Sequence, residues 1–130
     1  MRTVREDLNA LTEALIGAAI EVHRALGPGY PESFYGSALA IELEARQIAF
    51  ERQAPVDVAY RGHVIGEGRI DLLVERVLVI ELKSVLQMHP VFEAQALAYL
   101  KATDLRLALL INFNVPKLTD GIKRVIHGTV

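Results

Sequence analysis

Asp71 and the tripeptide Glu81-Leu82-Lys83 are the residues of this chain whose types and spacing could do chemistry. Each lies in a mostly apolar segment whose pattern predicts a β-strand. A charge inside an apolar strand is costly, so its presence needs a reason. Two carboxylates and a lysine on facing strands are enough to hold a divalent metal ion and activate a water beside it.

The apolar residues of the two segments predict how these charges meet. Strand alternation gives each segment one apolar face, formed by Ile70, Leu72 and Val74 in the first and by Leu78, Ile80 and Leu82 in the second. Pairing the two faces through a short loop at 75–77 puts Asp71 opposite Glu81, and Arg69 opposite Lys83. Directly opposed residues have Cβ atoms ~4.5–5.5 Å apart. Core packing alone therefore predicts that the two carboxylates meet.

Two interpretations of this predicted charge cluster stay open. Mg²⁺ or Mn²⁺ would neutralise the two carboxylates, and Lys83 would orient or deprotonate a water or stabilise developing negative charge. Alternatively, the charges form an exposed face on which Arg69 and Lys83 pair with Asp71 and Glu81. Spacing alone slightly favours the second interpretation, because E-x-K is a short motif.

Hydrophobic periodicity predicts the elements that must position these charges. They are a long helix over 8–26, a second helix from Pro31 to about Arg46, strands over 56–60, 63–74 and 77–83, a third helix over 90–101, a buried strand over 105–113, and a short helical element over 120–126. Gly27-Pro28-Gly29 ends the first helix. This order predicts a mixed α/β sandwich with an antiparallel meander and one crossover strand.

Composition limits the classes of function. The 130 residues, of which 52% are hydrophobic, suit one compact domain over 1–130. The chain has no cysteine, which excludes disulfides and thiolate metal sites and fits a reducing compartment. No apolar run approaches the ~18 residues needed to span a bilayer, so we expect a cytoplasmic protein without a membrane partner. The net charge of −2 argues against a dedicated nonspecific nucleic-acid binder, so such contact would be local or supplied by a second copy or another protein.

Three segments of the chain resemble the GxxExxxY family, a branch of the PD-(D/E)XK nuclease superfamily. They are residues 21–35, residues 68–74 with 79–83, and residues 93–101 continuing to 109–113 and 121–124. The resemblance covers nearly the whole chain. Ile70 stands where the superfamily's name has proline, and no segment looks like a separate DNA-recognition domain.

The resemblance implies a restriction-endonuclease-like fold, with a mixed sheet in an α-β-β-β-α-β core, helices on both faces and a long N-terminal helix in front. It implies that Asp71 and Glu81 are metal ligands and that Lys83 is the catalytic lysine. Glu32 would be a further acidic ligand, and Gln95 would lie near the site. The implied chemistry is Mg²⁺- or Mn²⁺-dependent phosphodiester hydrolysis of DNA or RNA.

Several of these residues also have simpler interpretations. Glu32 suits the positive end of a helix dipole as well as it suits a metal site. Gln95 and Tyr99 share a helix face and could bind a phosphate or a base, although such pairs are more often partly buried boundary residues. The four histidines lack metal-type spacing, and His89 before Pro90 is typical of a helix cap. The alternative functions are a noncatalytic binding or assembly module with the same fold and hydrolysis of a small phosphate ester.

Overall fold

The computed structural model describes residues 3–128, so the ends of the predicted domain, 1–2 and 129–130, lie outside the described residues. Its elements are α1 (Val4–Leu26), α2 (Glu32–Ala45), β1 (Phe50–Tyr60), β2 (His63–Val74), β3 (Leu78–Lys83), α3 (Pro90–Thr103), β4 (Leu107–Asn112), a 3₁₀ helix (Leu118–Gly121) and β5 (Ile122–Ile126).

Local side-chain chemistry sets where two of the helices begin. Thr3 and Glu6 form a capping box at the start of α1, each side chain accepting a hydrogen bond from the other residue's backbone N–H. The prediction that His89 caps a helix is confirmed, because its Nδ1 accepts a hydrogen bond from Val91 N at 3.0 Å at the start of α3. Pro90 follows at the first helical position, where its missing N–H costs nothing.

The five strands form one sheet in the order β1-β2-β3-β4-β5. Strands β1, β2 and β3 form an antiparallel meander, α3 carries the chain across to β4, which is parallel to β3, and β5 returns antiparallel to β4. The predicted meander and crossover are therefore confirmed. The sheet is consistent with a restriction-endonuclease-like fold.

The core lies on both faces of this sheet. On one face, α1 and α2 cover the apolar side chains that β2, β3 and β4 present, among them Leu72, Ile80 and Leu109. On the other face, Ala96 and Leu100 of α3 pack in a smaller cluster. All six residues of β4 are buried, as expected for a central strand covered by helices on both sides.

Two predicted elements differ from the structure. The prediction of a helical element over 120–126 is wrong, because only a 3₁₀ turn precedes strand β5, which pairs along β4 from Ile122 to Ile126. The first strand begins at Phe50 rather than at residue 56. Its early part is exposed and polar, including Glu51, Arg52 and Gln53, so it lacks the apolar alternation that marks a strand in sequence.

None of the helices described between residues 3 and 128 is both long enough and apolar enough to cross a membrane.

Candidate active site

The site lies where β2 and β3 separate. Their ladder contains three pairs and ends at Leu72 opposite Ile80. Beyond that pair, Oδ2 of Asp71 accepts a hydrogen bond from the backbone N–H of Leu82 at 2.7 Å. The predicted register is thus correct from Leu72 to Val74. Beyond Leu72, where we expected strand pairing to continue, the carboxylate of Asp71 accepts a hydrogen bond from β3 instead.

A backbone irregularity on β1 accompanies this separation. Gln53 has a left-handed φ of 51°, and it lies between the pairs Arg52–Leu72 and Ala54–Ile70. Ile70 packs in the α3 cluster, whereas Leu72 packs on the face covered by α1 and α2. The prediction that Ile70 shares a face with Leu72 is therefore wrong, because the alternation of faces is interrupted at Asp71.

Glu81 has the largest pKa shift among the titratable groups of the described residues. Its side chain is only 4% exposed, and its Oε1 is buried without a hydrogen-bond partner among the described residues. Burial, together with the charge of Asp71 and a hydrogen bond between the two side chains, raises the pKa of Glu81 to about 9. At neutral pH Glu81 therefore carries a proton.

Lys83 extends from β3 two residues after Glu81. Its Nζ lies 4.5 Å from the centre of the Phe92 ring, an arrangement in which the aromatic face attracts the ammonium group. The positive charge of Lys83 favours the ionised forms of both Glu81 and Glu32. The lysine therefore lies within electrostatic reach of Glu81 and Glu32.

The alternative of an exposed, self-neutralised face does not fit this geometry. Glu81 is buried, and Arg69 pairs with Glu67, its Nη2 lying 3.0 Å from Oε1. Arg69 also donates a hydrogen bond to the backbone carbonyl of Gln53. Its guanidinium is therefore occupied on the outer part of the hairpin.

Glu32 begins α2 and is coupled through charge to Asp71 of β2 and Glu81 of β3. Burial, followed by the charge of Asp71, raises its pKa, while Lys83 opposes that shift. Two hydrogen bonds of Tyr35 fix the preceding loop, since its hydroxyl donates to Gly27 O at 2.6 Å and accepts from Tyr30 N at 3.2 Å. Ser84 then ties this loop to the end of β3 by donating to Tyr30 O at 2.6 Å.

A small cleft opens beside these carboxylates. Its volume is about 110 Å³, and it is lined by Glu32, Ser33, Gly36, Arg52, Gln53, Asp71 and Leu82. Such a space suits a hydrated ion better than a drug-sized ligand. Gly36 lets the Arg52 side chain approach, because a Cβ at Gly36 would lie 3.1 Å from Arg52 Nη2. Larger cavities of about 440 Å³ lie elsewhere and contain none of the predicted site residues.

The two substrate-binding candidates lie together on α3. Gln95 is exposed and its Nε2 donates to the Tyr99 hydroxyl at 3.3 Å. The Tyr99 ring closely covers Gly68 of β2, where an added Cβ would lie 2.6 Å from the ring. A side chain at position 68 would therefore require the Tyr99 ring to move, and Tyr99 is partly committed to packing.

Asn112 and Arg52 were not singled out from the sequence. Asn112 ends β4 and is 3% exposed. Its side chain holds the segment after Lys83 through two hydrogen bonds, accepting one from Val85 N and donating one to Val85 O. A polar residue directly after the run Leu109-Leu110-Ile111 was a usable signal for such a role. Arg52 gave no signal, because it lies in the polar part of β1.

No group of three or more histidine, aspartate or glutamate side chains within residues 3–128 has the spacing of a metal site. The described carboxylates that contact one another are the pair Asp71 and Glu81, with Glu32 coupled to them through charge. Any cation held there would need further oxygen ligands from water or backbone.

Comparison with known families agrees with this geometry. The family model described as the PD-(D/E)XK nuclease superfamily matches residues 9–125. The chain belongs to the PD-(D/E)XK nuclease superfamily. Curated proteins and solved structures provide no significant match. Nucleases of this superfamily generally use divalent metals, and the match spans both carboxylate strands, β2 and β3, together with α3.

Proposed function

We propose that this protein is a divalent-metal-dependent nuclease that hydrolyses phosphodiester bonds of DNA or RNA. The observation that carries the proposal is the buried contact between Asp71 and Glu81, with Lys83 two residues further along the same strand. In a member of this superfamily, that set matches the two acids and the lysine of the motif that names it.

The residues present fit a hard divalent cation. The Oε1 of Glu81 is buried without a partner among the described residues, and the raised pKa of this carboxyl beside Asp71 indicates a site short of positive charge. Asp71 and Glu81 would hold Mg²⁺ or Mn²⁺, and Glu32 would complete the acidic side of the site. When bound, the ion would supply positive charge that polarises the phosphodiester and offsets charge developing on its oxygens.

Lys83 has two roles open to it at this position. Its ammonium group would orient the attacking water, or it would stabilise negative charge on the phosphoryl oxygens as the bond breaks. The Phe92 ring holds the ammonium group in place on one side. Gln95 and Tyr99 on α3 would contact the substrate, with the Gln95 amide as the more exposed group.

We further propose that the chain falls in the GxxExxxY branch of the superfamily. The support is the segment from Gly29 to Tyr35, which carries Glu32 to the site and whose tyrosine fixes the loop before it. The spacing here has two residues between Glu32 and Tyr35, one fewer than the name of the branch has.

The second candidate is a noncatalytic binding or assembly module, and the distribution of charge favours it. Ion pairs with nearby acids occupy Arg24, Arg46, Arg69, Arg106 and Lys123. Fewer cations are then available to neutralise phosphates, which is the main source of affinity for nucleic acid. Such a module would act with a second copy or another protein.

Cleavage assays separate the two candidates. Labelled single- and double-stranded DNA and RNA are incubated with Mn²⁺ and wild-type protein, Asp71→Asn or Lys83→Met. A nuclease loses roughly 100-fold or more of its rate in each variant, the usual effect of removing a group that acts on the transition state. Lys101→Met, on an exposed part of α3, is the matched control and retains activity.

Activity that persists in both Asp71→Asn and Lys83→Met would refute the assigned site. Absence of cleavage by the wild type on every substrate would leave the noncatalytic module as the function. Hydrolysis confined to small phosphate esters, and lost in the same variants, would keep the site and change the substrate.

A further inference from the structure

An exposed pair of aromatic rings lies in the loop before α2 and in the first turn of α2, and it has no role in the chemistry described above. Tyr30 and Phe34 are stacked, with ring centres 5.7 Å apart and planes 21° from parallel. They remain 43% and 54% exposed. Two such rings on the surface of a chain with only eight aromatic residues need an explanation.

The pair is held firmly next to the site. Tyr30 is fixed at its N–H by Tyr35 and at its carbonyl by Ser84, the residue that follows Lys83. Tyr35 itself stacks on buried Phe113, with ring centres 4.4 Å apart. Phe34 lies two residues after Glu32 on α2. The contacts that fix the loop before Glu32 therefore position Tyr30, and the Phe34 ring stacks on Tyr30.

We propose that Tyr30 and Phe34 form a stacking platform for an unpaired nucleotide base, so that the substrate is single-stranded nucleic acid. This inference rests on the proposed function for its placement next to a phosphodiester-cleaving site. A base presents a flat face to an exposed ring, and such stacking tolerates any sequence. Bases inside a duplex already stack on their neighbours and cannot cover the rings.

Among nucleic-acid substrates, the distribution of charge favours a single strand over a duplex. Duplex binding without base stacking depends on lysine and arginine contacts to phosphates. Five of the cations described here are paired with acids, and three carboxylates line or adjoin the site. Stacking supplies affinity that needs no excess of positive charge. Arg52 lines the cleft beside Glu32, where its guanidinium could contact a phosphate.

Binding measured without catalysis tests the platform. Fluorescence anisotropy with EDTA present follows wild-type protein binding to dT12, to rU12, to a 12-base-pair duplex and to a 12-mer abasic strand with the same phosphates. We expect dT12 or rU12 to bind at least tenfold more tightly than the duplex or the abasic strand. The two single strands separate DNA from RNA.

Variants assign the binding to the rings. Phe34→Ala and Phe34→Leu should each weaken binding of the preferred strand roughly five- to hundredfold, the range for losing one stacked base. Phe34→Trp should restore it. Tyr60→Ala is the matched control, since Tyr60 is also an exposed aromatic, 63% exposed, at the distant turn of the β1–β2 hairpin. Thermal midpoints of all variants report whether they fold.

Equal binding of the abasic strand, equal binding of the duplex, undetectable binding of every strand, or wild-type affinity in Phe34→Leu would each overturn the platform. Base-dependent binding without any cleavage would keep the platform and refute the nuclease. Cleavage that depends on Asp71 but not on Phe34 would keep the nuclease and refute the platform.

Discussion

The β2–β3 pair has an apolar half and a charged half, which differ although they lie on the same two strands. From Leu72 to Val74 the strands are paired, and their buried side chains are apolar. On the far side of Leu72 the ladder stops, and Asp71, Glu81 and Lys83 follow. The carboxylate of Asp71 there accepts a hydrogen bond from the backbone N–H of Leu82. Burial of apolar side chains in the first half fixes the register. That register brings two acidic side chains together in the second half, where burying their charge is costly.

This contrast predicts that the apolar half controls stability and the charged half controls binding. Leu72→Ala should lower the free energy of unfolding by about 2–5 kcal/mol, because Leu72 is fully buried and its loss leaves a cavity. Urea denaturation measures the change. The exposed Leu86→Ala is the control, with a change within about 0.5 kcal/mol.

Below its denaturation midpoint, Leu72→Ala should keep its Mn²⁺ affinity. A large loss of metal affinity in a variant that remains folded would show that the two halves are not separable in this way.

The charged half should make metal-free protein less stable as pH rises. Glu81 has a pKa of about 9 in the folded protein and about 4.5 when unfolded, so the folded state binds the extra proton between those values. Its contribution is complete below about pH 4.5 and is lost as pH rises through 9. Each pH unit in that window changes the free energy of unfolding by up to about 1.4 kcal/mol.

Glu81→Gln should remove most of this slope, since the amide does not titrate. Urea denaturation in EDTA at several pH values between 5 and 9 measures it for both proteins. Glu51→Gln, on the exposed part of β1, is the matched control and should keep the wild-type slope. Parallel curves for wild type and Glu81→Gln would refute the raised pKa of Glu81.

The smallest effect concerns the loop that carries Glu32. Tyr35→Phe removes a hydroxyl that bonds both Gly27 O and Tyr30 N, and should cost about 1–2 kcal/mol of stability. Since the ring and its stacking on Phe113 remain, the fold should persist. Tyr60→Phe, on an exposed ring, should change stability little. Thermal or urea denaturation of both variants gives the comparison.

The sequence was sufficient for the register from Leu72 to Val74 but not for how the strands separate beyond it. Leucine, isoleucine and valine at alternate positions identified the ladder from Leu72 to Val74 and the contact between Asp71 and Glu81. The left-handed φ of Gln53 and the bond from Leu82 N to Asp71 depend on tertiary contacts that no local pattern carries. Strand β5 was misassigned because its pairing with buried β4, and not its own pattern, determines its conformation.

The proposed metal site is tested most directly by calorimetric titration of Mn²⁺ into wild-type protein at pH 7.5, in two buffers with different ionisation enthalpies. We expect binding at one site with release of up to one proton, because the proton that Glu81 carries must leave when a cation takes its place. Asp71→Asn should abolish that binding. Absence of binding at millimolar Mn²⁺, binding without proton release, or equal binding by Asp71→Asn would contradict it.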